Sequence, residues 1–176
     1  MIKRIIKKLR GEAIVEDYIK KGMTIGANFW YGSDCYFDPS HCFLISIGNN
    51  VTFSTHVHLV AHDASTIKHI GYAKIGCIEI GDDVFVGANT TILPGVSIGN
   101  KTIIGAGSVV TEDCDAESVY AGVPAKKIYK LSEYLDKVKK IDLCFDEKYT
   151  LRNNVNDDKK KEMKKLLEKN KMGLIK

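Results

Sequence analysis

The sequence lacks an apolar run long enough to cross a membrane, and its first residues lack the unbroken apolar core of a secretory signal peptide. Its five cysteines form no Cys-x-x-Cys pair, and their odd number leaves one without a partner. They are Cys35, Cys42, Cys77, Cys114 and Cys144. These absences predict free thiols in a reducing cytoplasm.

No basic stretch is interleaved with aromatic residues, the pattern typical of a nucleic-acid groove. The formal net charge is only +4, and lysine and arginine crowd the first 21 residues and the last 30. The region between them is close to neutral or acidic. Nucleic acid is therefore not expected as a partner.

The length of 176 residues allows one domain with a substantial core plus terminal extensions. Residues 2–9 place apolar side chains at helical spacing among basic ones. Packing of this helix on the domain and peripheral contact with an anionic membrane surface both stay open. A second helical pattern over about residues 13–21 stops at Gly22. We divide the chain into an N-terminal helical segment at 1–22, a β domain at 23–128 and a C-terminal helical extension at 129–176.

A repeat with a period of six organises the chain between Ile80 and Thr111. Its aliphatic residues are Ile80, Val86, Ile92, Ile98, Ile104 and Val110. Glycine follows four of these residues directly, and no α-helix keeps such a register. The period fits short strands joined by tight turns, with the aliphatic side chain inward and glycine taking the backbone conformation that the turn demands. Three hexads make one triangular coil, which predicts an all-β solenoid.

A looser series of hexads precedes this run and begins at Ile25. Its register slips once across Pro39-Ser40-His41-Cys42 and resumes at Ile47. We interpret this series as the first coils of the same solenoid, with a bump at His41. Beyond the repeat, a short helix is predicted from Leu131 to Lys140, where it could cap the last coil.

Between Leu59 and Ile80 the spacing is 21 residues, which is not a multiple of six. Residues must therefore leave the coil, and we place this excursion at 61–78. It is mostly polar and has no periodicity. Because a rigid scaffold tolerates such an insertion and fixes both its ends, we expect the functional site here.

Three segments give the chain a resemblance to a known family: the run 80–111, the ending Ala121-Gly-Val-Pro-Ala-Lys126, and His62-Asp-Ala-Ser65. They resemble the hexapeptide-repeat acyltransferases, in particular the branch of sugar and surface-polysaccharide O-acetyltransferases. The resemblance covers about residues 22–130 and implies a left-handed parallel β-helix. It also implies a homotrimer with active sites between subunits, acetyl-CoA along the solenoid edge, and a histidine from the excursion as the base.

In this sequence the histidine implied by the resemblance is His62. Transfer of an acyl group from a thioester to an alcohol needs a base of near-neutral pKa, and an imidazole near 6.5 suits that role. The base needs a partner on its other nitrogen. Asp63 is adjacent, but neighbouring side chains of an extended segment point to opposite sides, so we expect Asp63 to hold the loop.

Two aspartates of the early coils, Asp34 and Asp38, are candidates to orient the base or bind the acceptor, and His41 and Asp63 complete this set of candidates. In related enzymes an asparagine or aspartate of these coils contacts the acceptor, and the resemblance aligns Asp34 with it. Asp38 forms an Asp-Pro-Ser-His group with His41 beside the interrupted coil. The sequence does not choose between the two aspartates, and either could be a turn residue bonded to its own backbone.

The positions that match the family's pantetheine track are Ala88, Gly105, Ala106 and Thr111. Small side chains there let the backbone approach the pantetheine amides, and a nearby N–H can stabilise an oxyanion. Lys126 and Lys127 are expected to meet the nucleotide phosphates. Where many relatives carry lysine after Val-Val-Thr, this chain has Glu112, which removes one expected phosphate contact.

Two further hypotheses come from other classes of protein. The same fold houses zinc-dependent carbonic anhydrases, which bind zinc with three histidines across a subunit boundary. The available histidines are His41, His56, His58, His62 and His69. The ending at 121–126 speaks against this hypothesis, and no metal is expected. A non-catalytic scaffold would bind no CoA.

The sequence thus predicts a cytoplasmic, homotrimeric acetyltransferase with acetyl-CoA as co-substrate. The acetyl group would pass directly to a hydroxyl of a sugar or polysaccharide precursor in a ternary complex. No covalent intermediate is expected, because no cysteine lies beside His62. The nearest rival acceptor is the amino group of a sugar nucleotide.

Overall fold

The computed structural model describes residues 14–176, which form many short strands and a few helices. The predicted helix over residues 2–9 lies outside the described residues. In chain order the strands are β1 (Thr24–Ile25), β2 (Trp30–Tyr31), β3 (Tyr36–Phe37), β4 (Ile45–Ile47), β5 (Thr52–Phe53), β6 (His58–Leu59), β7 (His62–Asp63), β8 (Lys74–Ile75), β9 (Ile78–Ile80), β10 (Phe85–Val86), β11 (Thr91–Ile92), β12 (Ser97–Ile98), β13 (Ile103–Ile104), β14 (Val109–Val110), β15 (Ser118–Gly122), β16 (Ala125–Lys130), β17 (Cys144–Phe145) and β18 (Leu174–Ile175). The α-helices are α1 (Val15–Ile19), α2 (Ile67–Ile70), α3 (Leu131–Val138) and α4 (Asp157–Asn170). Short 3₁₀ helices span Cys42–Leu44, Ala64–Thr66, Glu147–Tyr149 and Leu151–Asn153.

The hexad strands alternate among three sheets and pair in parallel within each sheet. β4, β5 and β6 belong to three different sheets, and the same order repeats with β9, β10 and β11 and again with β12, β13 and β14. We call one passage through the three sheets a circuit. Where nothing is inserted, paired residues of successive circuits lie 18 residues apart, as Ile80 and Ile98 do.

The aliphatic residues of the repeat form a single continuous core. All six of those between Ile80 and Val110 are buried, as are Phe37, Ile47, Phe53 and Leu59 from the earlier hexads. Because successive strand residues point to opposite faces, the other residue of each two-residue strand faces outward. The predicted inward direction of the repeat residues is confirmed.

The predicted reason for the glycines is wrong. Left-handed backbone falls three residues after the aliphatic residue, at positions such as Asn50, Asp83 and Asn89, and not at the glycine that follows it directly. That glycine is required by close stacking of circuits: a Cβ on Gly87 would lie 2.4 Å from the backbone nitrogen of Ala106. Real Cβ atoms do not approach backbone so closely, so only glycine fits there.

Side chains at one corner join successive circuits by hydrogen bonds. Asn49 Oδ1 accepts from the backbone nitrogen of Ala27 at 2.8 Å, and Asp82 Oδ1 accepts from that of Asn49 at 2.6 Å. Asn100 Oδ1 continues the series by accepting from the nitrogen of Asp82 at 2.8 Å. Backbone donors that the strands leave free at this corner are thus satisfied.

The predicted slip in register corresponds to an insertion in the first circuit. Ile25 pairs with Ile47, which is 22 residues away instead of 18, so four extra residues are present. The chain accommodates them in the segment between β3 and β4, which contains the 3₁₀ helix Cys42–Leu44. His41 precedes this helix, as the predicted bump requires.

The excursion is shorter and more ordered than predicted. Ala61 and Ile78, the ends of the predicted range, are fully buried core residues, and Ile78 pairs with Ile45. The residues between them begin and end as an antiparallel pair, β7 with β8. The 3₁₀ helix Ala64–Thr66 and helix α2 lie between those strands, so the excursion is closed at its base.

After β14 the chain reaches the antiparallel hairpin of β15 and β16, whose turn contains a cis Val123–Pro124 peptide. The chain divides into two compact units, and the second begins at Ser132. In that second unit β17 pairs with β18, and Phe145 and Val155 are buried. No helix within 14–176 combines the length and apolar character needed to span a bilayer. All five cysteines are free thiols, as predicted.

Candidate functional site

The carboxylate of Asp38 is fully buried at the end of β3. Its Oδ1 accepts hydrogen bonds from the backbone nitrogens of Ser40 at 3.0 Å and His41 at 3.1 Å. Both donors belong to the segment that carries the four-residue insertion, which therefore wraps around the carboxylate. These two hydrogen bonds hold the Asp38 carboxylate in place independently of the excursion.

His62, the first residue of β7, meets the other oxygen of the same carboxylate. Its backbone nitrogen donates to Asp38 Oδ2 at 3.0 Å, and its ring Nδ1 forms a short hydrogen bond to that oxygen. Because a ring nitrogen facing a carboxylate carries the proton, the lone pair of the imidazole lies on Nε2. This is the arrangement of a general base oriented by a carboxylate.

Burial alone would raise the pKa of Asp38, but the hydrogen bonds from His62, Ser40 and His41 outweigh it and hold the pKa below the ordinary aspartate value. Asp38 is therefore ionised at neutral pH.

A second imidazole, that of His41, lies beside the pair. Its ring centroid is 4.9 Å from that of His62, and its Nδ1 is 4.0 Å from Asp38 Oδ1. Within residues 14–176, this buried Nδ1 has no hydrogen-bond partner. One carboxylate thus faces a ring nitrogen of each of two histidines.

Asp63 makes contacts within the excursion itself. Its Oδ1 accepts from the backbone nitrogen of Ser65 at 2.8 Å, and its Oδ2 lies 2.6 Å from Lys74 Nζ on the paired strand. The bond to Lys74, together with that from Ser65, holds the pKa of Asp63 well below its usual range. These contacts join the two strands at the base of the excursion.

Asp34 lies at a different corner, in left-handed backbone with φ of 59°. Its carboxylate is 3.7 Å from Nε2 of His56, the residue at the equivalent turn of the next circuit. Both side chains are about half exposed. Of the two aspartates that the sequence left open, the structure brings Asp38 to His62 and gives Asp34 a different histidine.

The positions matched to the pantetheine track lie on successive circuits. Ala88 and Ala106 lie at the same corner, where the nitrogen of Gly107 donates to the carbonyl of Ala88 at 2.7 Å. The carbonyl of Gly105 accepts from the hydroxyl of Ser108 at 2.6 Å. Thr111 is exposed just after β14. The side chains at this corner are small, and the Ala88 and Gly105 carbonyls already accept hydrogen bonds within the protein.

The two lysines expected to meet phosphates are both exposed, and both have acidic neighbours. Lys126 Nζ is 3.0 Å from Glu112 Oε2, and Lys127 Nζ is 3.0 Å from Asp115 Oδ2. Glu112, the residue that departs from the family pattern, thus neutralises one of the two lysines.

Three residues, Asp38, His41 and His62, place possible metal ligands within 4.8 Å of one another. Both Asp38 oxygens already accept two hydrogen bonds, Oδ1 from the backbone nitrogens of Ser40 and His41 and Oδ2 from the backbone nitrogen and ring Nδ1 of His62. His56 and His58, which together with His62 would make a three-histidine set, have other neighbours. His56 faces Asp34, and the ring of His58 lies 5.7 Å from that of Tyr36.

Sequence reasoning missed Phe43, whose side chain is 57% exposed with its ring 5.9 Å from that of His41. Phe43 belongs to the inserted 3₁₀ helix Cys42–Leu44. An aromatic residue in the hexad repeat would instead be expected to face the core. The signal that could have found it is an aromatic residue just past the slip in register.

Comparison with known proteins identifies the repeat. The family described as bacterial transferase hexapeptide (six repeats) matches residues 77–112. Protein CapG of Staphylococcus aureus is 36% identical over 149 residues, covering 78% of this chain and 83% of CapG. Galactoside O-acetyltransferase of Escherichia coli K12 is 35% identical over 120 residues, covering 68% of this chain and 48% of that protein.

Among solved structures, a maltose O-acetyltransferase from Clostridium difficile 630 aligns with a TM-score of 0.55 and 34% identity, covering 60% of this chain and 57% of that one. The chain thus spans about half the length of several relatives that it matches, whereas it covers most of CapG. The family match lies in the circuits β9 to β14, where the repeat is unbroken. The chain belongs to the bacterial hexapeptide-repeat transferase family.

Proposed function

We propose that this protein is an acetyl-CoA-dependent O-acetyltransferase whose acceptor is a hydroxyl of a sugar or of a surface-polysaccharide precursor. The observation that carries the proposal is the hydrogen-bonded pair of Asp38 and His62. The acetyltransferase relatives and their sugar acceptors support the donor and the class of acceptor.

In this proposal His62 Nε2 takes the proton of the acceptor hydroxyl as its oxygen attacks the thioester carbonyl. Asp38 holds the imidazole in the required tautomer and orientation. When the carbon–sulfur bond breaks, His62 returns the proton to the departing sulfur, so that free CoA thiol and an acetyl ester are released. No residue is acylated, and the donor and the acceptor must be bound together.

The donor would lie along the corner of Ala88 and Ala106, where small side chains would let it approach the backbone. Lys126 and Lys127 would bind its phosphates after their ion pairs with Glu112 and Asp115 break. The same region can supply an N–H for the oxyanion. Because donor, free thiols and site chemistry all suit a reducing compartment, we place the reaction in the cytoplasm.

We further propose that the circuits form a left-handed β-helix and that three copies assemble as a homotrimer. The regular order of three parallel sheets supports the helix, and the family supports its handedness. Light scattering during size-exclusion chromatography tests the trimer by its mass, and elution as a monomer would contradict it.

The proposed activity is tested by thiol release from acetyl-CoA with galactose, maltose and glucosamine as acceptors. We expect release with the sugars in wild type and in His58→Ala, a control histidine outside the site. Loss of release in His62→Ala, with acetyl-CoA binding retained by calorimetry, supports the base. Two results would contradict the proposal: absence of acetyl-CoA binding, and stoichiometric zinc whose removal abolishes the activity. Acetylation of glucosamine nitrogen alone, independent of His62, would establish the rival N-acetyl activity.

A further inference from the structure

Two imidazoles at the site share a single buried carboxylate. His62 Nδ1 is hydrogen-bonded to Asp38 Oδ2, and His41 Nδ1 lies 4.0 Å from Oδ1 of the same residue. The proposed mechanism uses only His62. His41 has a buried Nδ1 without a hydrogen-bond partner in residues 14–176, which leaves its presence beside the base unexplained.

The shared carboxylate sets the tautomer of His62 by a hydrogen bond and biases that of His41 electrostatically, since its Oδ1 lies 4.0 Å from His41 Nδ1. A negative oxygen facing Nδ1 favours a proton on Nδ1, and the remaining lone pair then lies on Nε2. Each side chain is about one-third exposed, so each ring is reachable from solvent. With centroids 4.9 Å apart, the two rings present a pair of neighbouring hydrogen-bond acceptors.

We propose that the site recognises a vicinal diol, with the reacting hydroxyl on His62 and the adjacent hydroxyl on His41. This inference rests on the proposed acetyltransferase function and specifies its acceptor. Two neighbouring hydroxyls can each donate to one Nε2, with hydrogen bonds of about 2.8 Å at both ends. An acceptor with an isolated hydroxyl would leave the His41 lone pair unsatisfied.

The exposed ring of Phe43 gives the same acceptor an apolar contact. It lies 5.9 Å from the His41 ring, on the side of the inserted 3₁₀ helix. Sugar-binding sites combine a few directed polar groups with apolar and aromatic surface. The four-residue insertion thus supplies both the second histidine and the aromatic ring, and we assign it to acceptor recognition.

Sites built to hydrogen-bond a substrate hydroxyl discriminate strongly against analogues that lack it. With wild-type protein, removal of the neighbouring hydroxyl should lower kcat/KM about tenfold or more, the effect of one lost hydrogen bond to a group left unpaired. In His41→Leu the kcat/KM for the unmodified acceptor should fall by a similar factor. Removal of the same hydroxyl should then have little further effect, because its partner is already absent.

The test measures kcat/KM for methyl β-galactoside and its four monodeoxy analogues with wild type, His41→Leu, His41→Gln and the control His58→Leu. Removal of the reacting hydroxyl should abolish ester formation in every variant. Removal of its neighbour should affect wild type and His58→Leu but not His41→Leu. His41→Gln, which keeps an acceptor oxygen near the position of Nε2, should retain part of the discrimination. Phe43→Ala should raise KM with kcat nearly unchanged.

Retention of acetyl-CoA affinity and of the thermal midpoint in each variant shows that folding is intact. Equal penalties for the missing neighbour in wild type and His41→Leu would overturn the inference, while esters formed by wild type would leave the proposed function standing. Absence of transfer to every galactoside and to maltose by wild type would instead count against the proposed function.

Discussion

The ion pair between Glu112 and Lys126 should weaken the binding of acetyl-CoA. The two charges are 3.0 Å apart, with side chains 72% and 62% exposed, so the pair itself contributes at most about 1 kcal/mol. A phosphate that binds Lys126 must break this pair and also approach the negative charge of Glu112. Replacing Glu112 by glutamine removes both costs.

We expect Glu112→Gln to lower the Kd for acetyl-CoA about threefold to tenfold, since about 1 kcal/mol corresponds to a factor of roughly five. Glu112→Lys, which restores the family residue, should lower it further. The matched control is Glu117→Gln, which removes the partner of Lys101 at 3.7 Å and lies outside the proposed phosphate contacts.

Titration calorimetry at two ionic strengths measures this prediction. The gain should shrink at high salt, because exposed charges are screened. An unchanged or weaker affinity in Glu112→Gln would refute the assignment of Lys126 to the phosphates. An equal gain in Glu117→Gln would show that net charge, and not this pair, controls the affinity.

Three other predictions concern the scaffold and the site. Gly87→Ala should lower the free energy of unfolding by more than about 2 kcal/mol, because its Cβ would lie 2.4 Å from the Ala106 nitrogen, whereas Gly71→Ala, with open space around it, should cost only the strain of its left-handed backbone, about 1 kcal/mol; urea titration compares them, and equal losses would contradict the stacking argument. In native protein, iodoacetamide should label the exposed Cys77 and Cys144 quickly and spare Cys114, whose burial raises its pKa to about 12; mass spectrometry of the digest locates the label, and early labelling of Cys114 would contradict its burial. Because folding lowers the pKa of Asp38, its ionised form stabilises the fold above its unfolded-state value near 3.8, and that contribution disappears as pH falls through the lower folded-state pKa. Asp38→Asn should therefore flatten the acid limb of the stability curve below about pH 5, and an unchanged slope in urea titrations along that limb would show that Asp38 is not the group responsible.

The strands could be predicted from the sequence because the residues that define each strand and turn lie within a single hexad. A buried aliphatic residue, a glycine and a turn residue recur at fixed offsets. The strands between Ile80 and Val110 can therefore be assigned without knowledge of contacts between distant residues. The role of the glycines could not be predicted this way. Local reasoning assigned them to turn conformation, whereas their real constraint is the backbone of a residue about 18 positions away.

The site depended on contacts that sequence distance hides. Asp38 and His62 are 24 residues apart, and both insertions fall between or beside them. No periodic pattern predicts the path by which inserted residues rejoin the circuits. The sequence therefore could not choose between Asp34 and Asp38. The same limit explains why Phe43 was missed and why the excursion was predicted one residue too long at each end.

In the proposed mechanism Asp38 and His62 act as one catalytic unit. The most direct measurement is kcat/KM for acetyl transfer to methyl β-galactoside in wild type, Asp38→Asn, His62→Ala and the double variant. A positioned general base contributes about 10²- to 10⁴-fold, so His62→Ala should lose about 10³-fold and Asp38→Asn about 10²-fold. Because Asp38 assists proton transfer only through the His62 imidazole, the double variant should lose far less than the product of the two single losses. Losses that multiply in the double variant, or wild-type turnover in His62→Ala, would contradict the account.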